Sequence, residues 1–444
     1  MAFCSFLRRP ALIASGLALA GATAALFASG ATQAQFNPYR VFTDSGPVTQ
    51  EEKDRRQAER DALRDRISPQ LRVDVPFVSE ASIQGMELAI DRYRRIVAAG
   101  GWPMVRGDVT LRPGDSGAEI VTIREHLIIE GDLPPGSASN PRFDDEFRDG
   151  LTRFQIRNGL RVSGFLDSRT LKALNIPAHE RLRQLETNLP RIGKLMSINK
   201  APRYVLVNVP AYTAQAVQKG RLALDSAVVV GKPSRATPQV SAKIVEVNFF
   251  PVWSVPESIA RKDLVPAIRK DMSYFYDNRF NVMKSWGSKP LDPTQVDWMS
   301  PQVASYKFTQ EPGPQNALGL VRINMPNKHA VYMHDTPLKR LFNQSQRAFS
   351  SGCVRVEGVW ELVAWLLGPQ GWDLAKVEAE VASGQKKNVK LRQAVPVHFV
   401  YLTAFANSHG VAQFRPDIYG QDAGDEGLDD QDALVVSESR AVTP

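Results

Sequence analysis

The sequence predicts an α+β chain of several domains, with helices gathered in the first half and a strand-rich domain beginning near residue 201. Three observations carry this. Apolar residues between 82 and 177 repeat at three- and four-residue spacings, the period of a helix that buries one face. From about 201 the texture changes to short alternating or β-branched runs divided by turn residues. Residues 251–310 then interrupt the strand pattern with Pro, Trp and Tyr, as an insertion in the β domain would.

Taken in order, residues 1–34 read as a secretory signal. Arg8 and Arg9 precede an apolar, small-residue run from Ala11 to Ala28, and cleavage fits after Ala34 or after Ala31. The same run read as an uncleaved anchor makes a weak membrane span, so inner-membrane association is not expected after cleavage. Residues 35–112 read as a linker and helical scaffold segment. Glu51 to Arg66 holds twelve charges of both signs in sixteen residues, the mark of a solvated face. Met86, Leu88, Ile90, Tyr93, Ile96 and Val97 then place a helix over 82–99 that stops at Gly100-Gly101.

A compact helical module is expected over 113–177. Ser116 and Glu119 suggest a capping box ahead of Ile120, Ile123 and Leu127. Phe143, Phe147, Leu151 and Phe154 mark a second helix, and Asp167 is placed to cap a third that carries Leu171 and Leu174. Residues 178–200 continue as a scaffold or linker helix.

The β domain covers 201–420. Tyr204–Val209, Leu222–Val230, Ile244–Phe249, Leu320–Asn324, Ala330–His334 and Val397–Phe405 read as strands, with a hairpin turn at Lys219-Gly220. Helices are expected over Gly358–Leu367 and Asp373–Ala382. Residues 421–444 carry seven acids against one base and read as a disordered acidic tail.

Composition excludes some classes. Loss of the leader, with its two Arg and no acids, lowers the formal charge from +8 to +6. That excess suits an anionic polymer, but no basic patch interleaved with aromatics points to nucleic acid. There is no His-Glu-x-x-His, no phosphate loop, no dinucleotide fingerprint and no Gly-x-Ser-x-Gly elbow. His126, His179, His329, His398 and His409 stand at no metal-ligand spacing, so no metal is expected.

Chemistry concentrates at Tyr332-Met333-His334-Asp335-Thr336-Pro337 and Ser350-Ser351-Gly352-Cys353-Val354-Arg355-Val356. With Cys4 inside the leader, Cys353 is the one thiol of the mature chain, and an exported unpaired cysteine is a liability unless its reactivity is used. A cysteine nucleophile needs a base and donors for the oxyanion it creates. His334 fits the first role. The amides of Gly352 and Cys353, the Ser351 turn and the Tyr332 hydroxyl fit the second. Arg355 has the planar fork for a substrate carboxylate, against the alternative of a surface ion pair with Glu357.

These two segments resemble the YkuD-type L,D-transpeptidase catalytic domain. Asn208-Val209-Pro210-Ala211-Tyr212, Val230-Gly231-Lys232-Pro233, Thr237-Pro238, Pro251–Pro256 and Tyr419-Gly420 are similar to the large YcbB-type subgroup. Phe154-Gln155, Gly159-Leu160, Gly164, Thr170-Leu171 and Leu174-Asn175 resemble a three-helix peptidoglycan-binding module. Two departures stand out: Ser351 where many relatives have His, and Asp335 where Gly is frequent. In the family the Asp335 position acts through its backbone carbonyl.

The resemblance implies a periplasmic cell-wall enzyme that needs no cofactor. Its partners would be peptidoglycan stem peptides: a tetrapeptide donor and a diaminopimelate amine acceptor. Cys353 would form a thioester, His334 would act as acid and base, and a 3→3 cross-link would result. Hydrolysis of the same thioester, or transfer to or from a lipoprotein, remains open on these residues, as does a non-catalytic wall-binding scaffold.

Overall fold

The computed structural model describes residues 73–422 continuously, together with residues 55, 58, 62, 63, 66, 67 and 71. The leader, the 35–50 lead-in, most of the charged 51–66 stretch and the acidic tail beyond Asp422 lie outside the described residues.

Helix α1 (Glu80–Ala98) opens with a reciprocal cap. Ser82 N–H donates to Ser79 Oγ and Ser79 N–H to Ser82 Oγ, each at 3.0 Å. The helical module follows as α2 (Ala118–Glu130), α3 (Asp145–Arg157) and α4 (Ser168–Leu174). Ile120, Ile123, Leu127, Phe147, Leu151, Phe154, Leu171 and Leu174 close its own core. Asp144 and Asp167 cap α3 and α4 through the amides of Phe147 and Thr170. The box expected at Ser116 and Glu119 does not form: Gly117 is the N-cap, one residue out of frame, and Ser116 is drawn into a bridge with Arg142.

Helix α5 (Ala178–Lys194) packs along α1. A buried network ties the module to this scaffold. Arg157 donates to Asp132 Oδ1 at 2.9 Å, to Glu130 Oε2 at 3.0 Å and to the Ala412 carbonyl at 3.2 Å. Tyr93 donates to Glu130 Oε1 at 2.6 Å.

The strands run β1 (Arg203–Asn208), β2 (Thr213–Gln218), β3 (Arg221–Gly231), β4 (Val240–Phe249), then β5 (Trp253–Val255), β6 (Phe280–Met283) and β7 (Lys307–Gln310). They continue as β8 (Val321–Asn324), β9 (Met333–His334), β10 (Ala348–Ser350) and β11 (Val354–Val356). Helices α6 (Val359–Leu367) and α7 (Leu374–Ala382) precede β12 (Lys387–Val400), β13 (Ala404–Ala406) and β14 (Ala412–Phe414). Nine strands form one mixed sheet in the order β10-β3-β11-β9-β8-β4-β12-β1-β2. The first half of β3 pairs with β2 and its second half with β11 and β10, which curls the sheet back on itself. The β2–β3 hairpin turns at Lys219 and Gly220, both with positive φ (50° and 72°).

One face of the sheet is apolar. Val228, Val230, Val247, Ile323, Met333, Val354 and Val356 share a core with Val363, Leu366 and Val377 of α6 and α7. The other face is covered at its β1 and β12 end by α1 and α5, against Tyr204, Leu206 and Val400. At its β8, β9 and β11 end it carries the polar residues of the site. Residues 251–310 hold the separate sheet β5-β7-β6, a helical run over 257–270 and a core of Val255, Leu264, Ile268, Phe275, Val282 and Phe308.

Three strands differ from expectation, β4 by starting at Val240, four residues early. β12 starts at Lys387, ten residues early, because its exposed Lys387, Lys390 and Arg392 conceal the strand from hydrophobic patterning. It ends at Val400, where the Leu402 carbonyl accepts from Asn208 Nδ2 and the Thr403 amide donates to Asn188 Oδ1. The 330–334 strand pairs only at Met333–His334: Ala330 turns with φ 52°, and Asn327 Nδ2 holds the Val331 carbonyl at 2.8 Å.

Candidate active site

Register decides which side chains meet. β11 runs parallel to β9 with Arg355 opposite His334, and β8 runs antiparallel to β9 with Arg322 opposite the same histidine. Asn248 of β4 lies opposite Arg322. Opposed residues project to one face of a sheet, and so do residues two apart on a strand. Asn248, Arg322, His334 and Arg355 therefore form a row across four strands. Tyr332 and Cys353 stand one step further along the same face. The contacts agree: the Tyr332 and His334 rings meet edge-on at 5.7 Å, and Arg322 lies 5.7 Å from the Tyr332 centroid.

The cysteine sits in a turn closed on itself. Ser350 Oγ donates to the Cys353 carbonyl at 2.6 Å and accepts from the Gly352 amide at 3.1 Å. Gly352 has φ +118°, a backbone region that favours glycine. Behind the turn, Thr237 Oγ1 donates to the Gly352 carbonyl and accepts from the Gly231 amide, both at 2.8 Å. The Tyr419 hydroxyl donates to the Gly231 carbonyl at 2.6 Å and accepts from the Thr237 amide at 3.1 Å. A Cβ on Gly231 would stand 2.2 Å from the Arg235 carbonyl, so only glycine lets these backbones approach. Ser351 is exposed, and its Oγ accepts from Arg235 Nη1 at 2.8 Å. Arg235 in turn pairs with Asp263 of the 251–310 insertion.

This changes one expectation. The Gly352 amide, read from the sequence as an oxyanion donor, is engaged by Ser350 Oγ at rest. Ser351 belongs to the outer support of the turn. Among the described residues the Cys353 amide has no hydrogen-bond partner, and the backbone amide and hydroxyl of Tyr332 both bear on the thiol.

Both reactive groups rest neutral. Burial pushes the half-buried Cys353 thiol up to about 11, against the opposing pull of Tyr332, Arg355 and Arg322. His334 is 5% exposed. Burial and then the Arg355 charge push its ring down to about 3, while the backbone carbonyls of Asp335 and Leu318 favour its protonated form. His334 Nδ1 is buried without a hydrogen bond. Burial also raises Tyr332, whose hydroxyl meets Trp253 of β5. At rest the groups that act most on the sulfur are those of Tyr332, and His334 stands diagonally across the strand pair. Diagonal neighbours on adjacent strands are about 7–8 Å apart at Cα.

Asp335 is buried, and its carboxylate faces away from the ring. Oδ2 accepts from the Leu320 amide at 2.9 Å, and the group pairs with Lys339. It also fills the space a side chain on Gly319 would need, 2.4 Å from that Cβ position. Arg355 keeps Nε and Nη1 buried and without partners, and no ion pair with Glu357 forms. Burial lowers its pKa, and the thiol beside it opposes that shift.

Sequence reading assigned no site role to Arg322 or Leu318, and it marked Ser350, Thr237, Trp253 and Tyr419 only as parts of motifs. Arg322 was detectable as the charge in the alternating run Leu320–Asn324. Ser350 belongs to the cysteine's own turn, and the rest reach the site from distant segments.

Comparison with known proteins gives matches for two regions of the chain. The profile of the YkuD "L,D-transpeptidase catalytic domain" matches residues 202–390. The chain carries a YkuD L,D-transpeptidase catalytic domain. The profile of the "Putative peptidoglycan binding domain" matches residues 116–174, the helical module. A Haemophilus influenzae protein named "Putative L,D-transpeptidase" is 36% identical over 219 residues, which are 49% of this chain and 44% of that protein. The match therefore spans less than half the length of that relative. Matching solved structures include an L,D-transpeptidase from Stackebrandtia nassauensis, at 14% identity over 69% of this chain and 98% of that one, TM-score 0.26. Another is from Xylanimonas cellulosilytica, at 10% identity over 66% and 99%, TM-score 0.21. No helix among the described residues is long and apolar enough to cross a membrane.

Proposed function

We propose that the protein is a peptidoglycan L,D-transpeptidase that forms 3→3 cross-links between diaminopimelate residues in the periplasm, after export through the 1–34 leader. The observation that carries this is the shared face of Cys353, His334 and Arg355. A thiol in a clamped turn, an unprotonated imidazole and a guanidinium without an acid partner stand together within a transpeptidase domain.

His334 takes the thiol proton as Cys353 Sγ attacks the L-centre carbonyl of diaminopimelate in a tetrapeptide stem. The oxyanion is met by the Cys353 amide and the Tyr332 hydroxyl, and Arg355 holds a substrate carboxylate. Collapse breaks the peptide bond, and terminal D-alanine leaves with the proton from His334. The side-chain amine of a second diaminopimelate then attacks the thioester, gives its proton to His334 and releases the thiol.

The 113–177 module is assigned to the glycan or peptide of the wall, 178–200 to the scaffold and 251–310 to a cap over the donor site. Mass spectrometry of muropeptide tetrapeptides after incubation with the purified protein tests the reading. Cross-linked dimers with loss of D-alanine are expected. Monomers lacking D-alanine and no dimers would make water the acceptor and overturn the transferase.

A further inference from the structure

Arg355 has a counterpart on the other side of the histidine. Arg322 and Arg355 both oppose His334 in register, from β8 and β11. Neighbouring strands are about 4.8 Å apart, so the two Cα atoms are about 10 Å apart, with His334 between them. Among the described residues Arg322 makes one hydrogen bond, from Nε to Asn248 Oδ1 at 2.9 Å. Asn248 is itself fixed, since its Nδ2 donates to Glu246 Oε1 at 2.6 Å and to Asn388 Oδ1 at 2.8 Å. The Tyr332 ring supports the guanidinium from below. Neither arginine pairs with an acid among the described residues. A partly buried cation that is held in place but not neutralised suits an anionic ligand.

We propose that Arg322 is a second carboxylate-binding group of the donor site, which with Arg355 grips a peptide bearing a carboxylate on each side of the carbonyl that Cys353 attacks. The inference rests on the reading of Cys353 as nucleophile. In a diaminopimelate tetrapeptide the two groups are the terminal D-alanine carboxylate and the carboxylate at the end of the diaminopimelate side chain. Nine bonds separate them, about 11 Å when extended, a match for the spacing of the two strands' arginines. A lysine-containing stem offers only the first carboxylate. Arg322 thereby makes the site selective for doubly anionic donors.

Acylation of the full-length protein, followed by intact mass against donor concentration, tests this with diaminopimelate and lysine tetrapeptides. Wild type is expected to reach half-saturation at a concentration about tenfold lower for the diaminopimelate donor, as a charge-assisted contact implies. Arg322→Gln should abolish that preference by weakening only the diaminopimelate donor. Arg322→Lys should keep part of it, and Arg355→Gln should weaken both donors. Equal weakening of both donors by Arg322→Gln, or a fall only in the maximal rate, would overturn the proposal in favour of a purely electrostatic effect on the thiol. Absence of a donor preference in wild type, or loss of the preference through Arg355→Gln instead, would overturn it as well. Wild type that neither donor acylates, while iodoacetamide still labels Cys353, would remove the nucleophile reading on which the inference stands.

Discussion

The thiol and imidazole of the free protein should not form an ion pair, and the pH dependence of alkylation makes this measurable. Burial lifts Cys353 to about 11 and lowers His334 to about 3. With those values about one molecule in 10⁴ carries a thiolate at pH 7 and about one in 10³ at pH 8. A preformed pair would instead hold a thiolate that persists on acidification down to the thiol's own lowered pKa. Iodoacetamide labelling of Cys353 under pseudo-first-order conditions distinguishes the two. The logarithm of the rate should climb with unit slope from pH 7 to at least pH 10, with no plateau between. Arg355→Gln removes a cation that favours the thiolate, so its curve should lie below wild type throughout. A plateau reached by pH 6–7, lost in His334→Gln, would refute the neutral resting state.

Three further outcomes follow from the supports. Thr237→Val keeps the shape but leaves the Gly231 amide and Gly352 carbonyl unpaired, at roughly 1–3 kcal/mol each; calorimetry should show a lower melting temperature, with acylation slowed as the turn loosens. Gly231→Ala must move the Arg235 carbonyl and should lose most activity, whereas Gly136→Ala, with nothing within 4 Å of its Cβ, should match wild type in the same assay. His334 is held neutral, so its contribution to stability is complete above the unfolded ring's pKa near 6.5 and declines as pH falls towards 3; melting curves at pH 7 and pH 4 should show a smaller acid loss in His334→Gln than in wild type.

The residues that carry local signals were legible in the sequence. Asp167 caps its helix, Lys219-Gly220 turns its hairpin, and Ser350–Val356 announces a reactive turn through its own small residues. What depends on cross-strand register was not legible. Nothing in the sequence says that Arg322 stands opposite His334, or that Thr237 and Tyr419, 182 residues apart, are hydrogen-bonded behind Gly352. The resting hydrogen bond of the Gly352 amide to Ser350 Oγ was not legible for the same reason, being a matter of turn geometry. The Ser116 box failed by one residue of frame, which composition cannot resolve. The early start of β12 was hidden because an exposed rim of Lys and Arg is the same signal a loop gives.

The most direct test of the account is the mass of the intact protein during turnover with a diaminopimelate tetrapeptide. A transient species heavier by the donor less D-alanine should appear, map to Cys353 by peptide sequencing, and decay when an amine acceptor is added. The Cys353→Ala protein should remain at its starting mass. Turnover by that variant, or an adduct that maps to any other residue, would contradict the account.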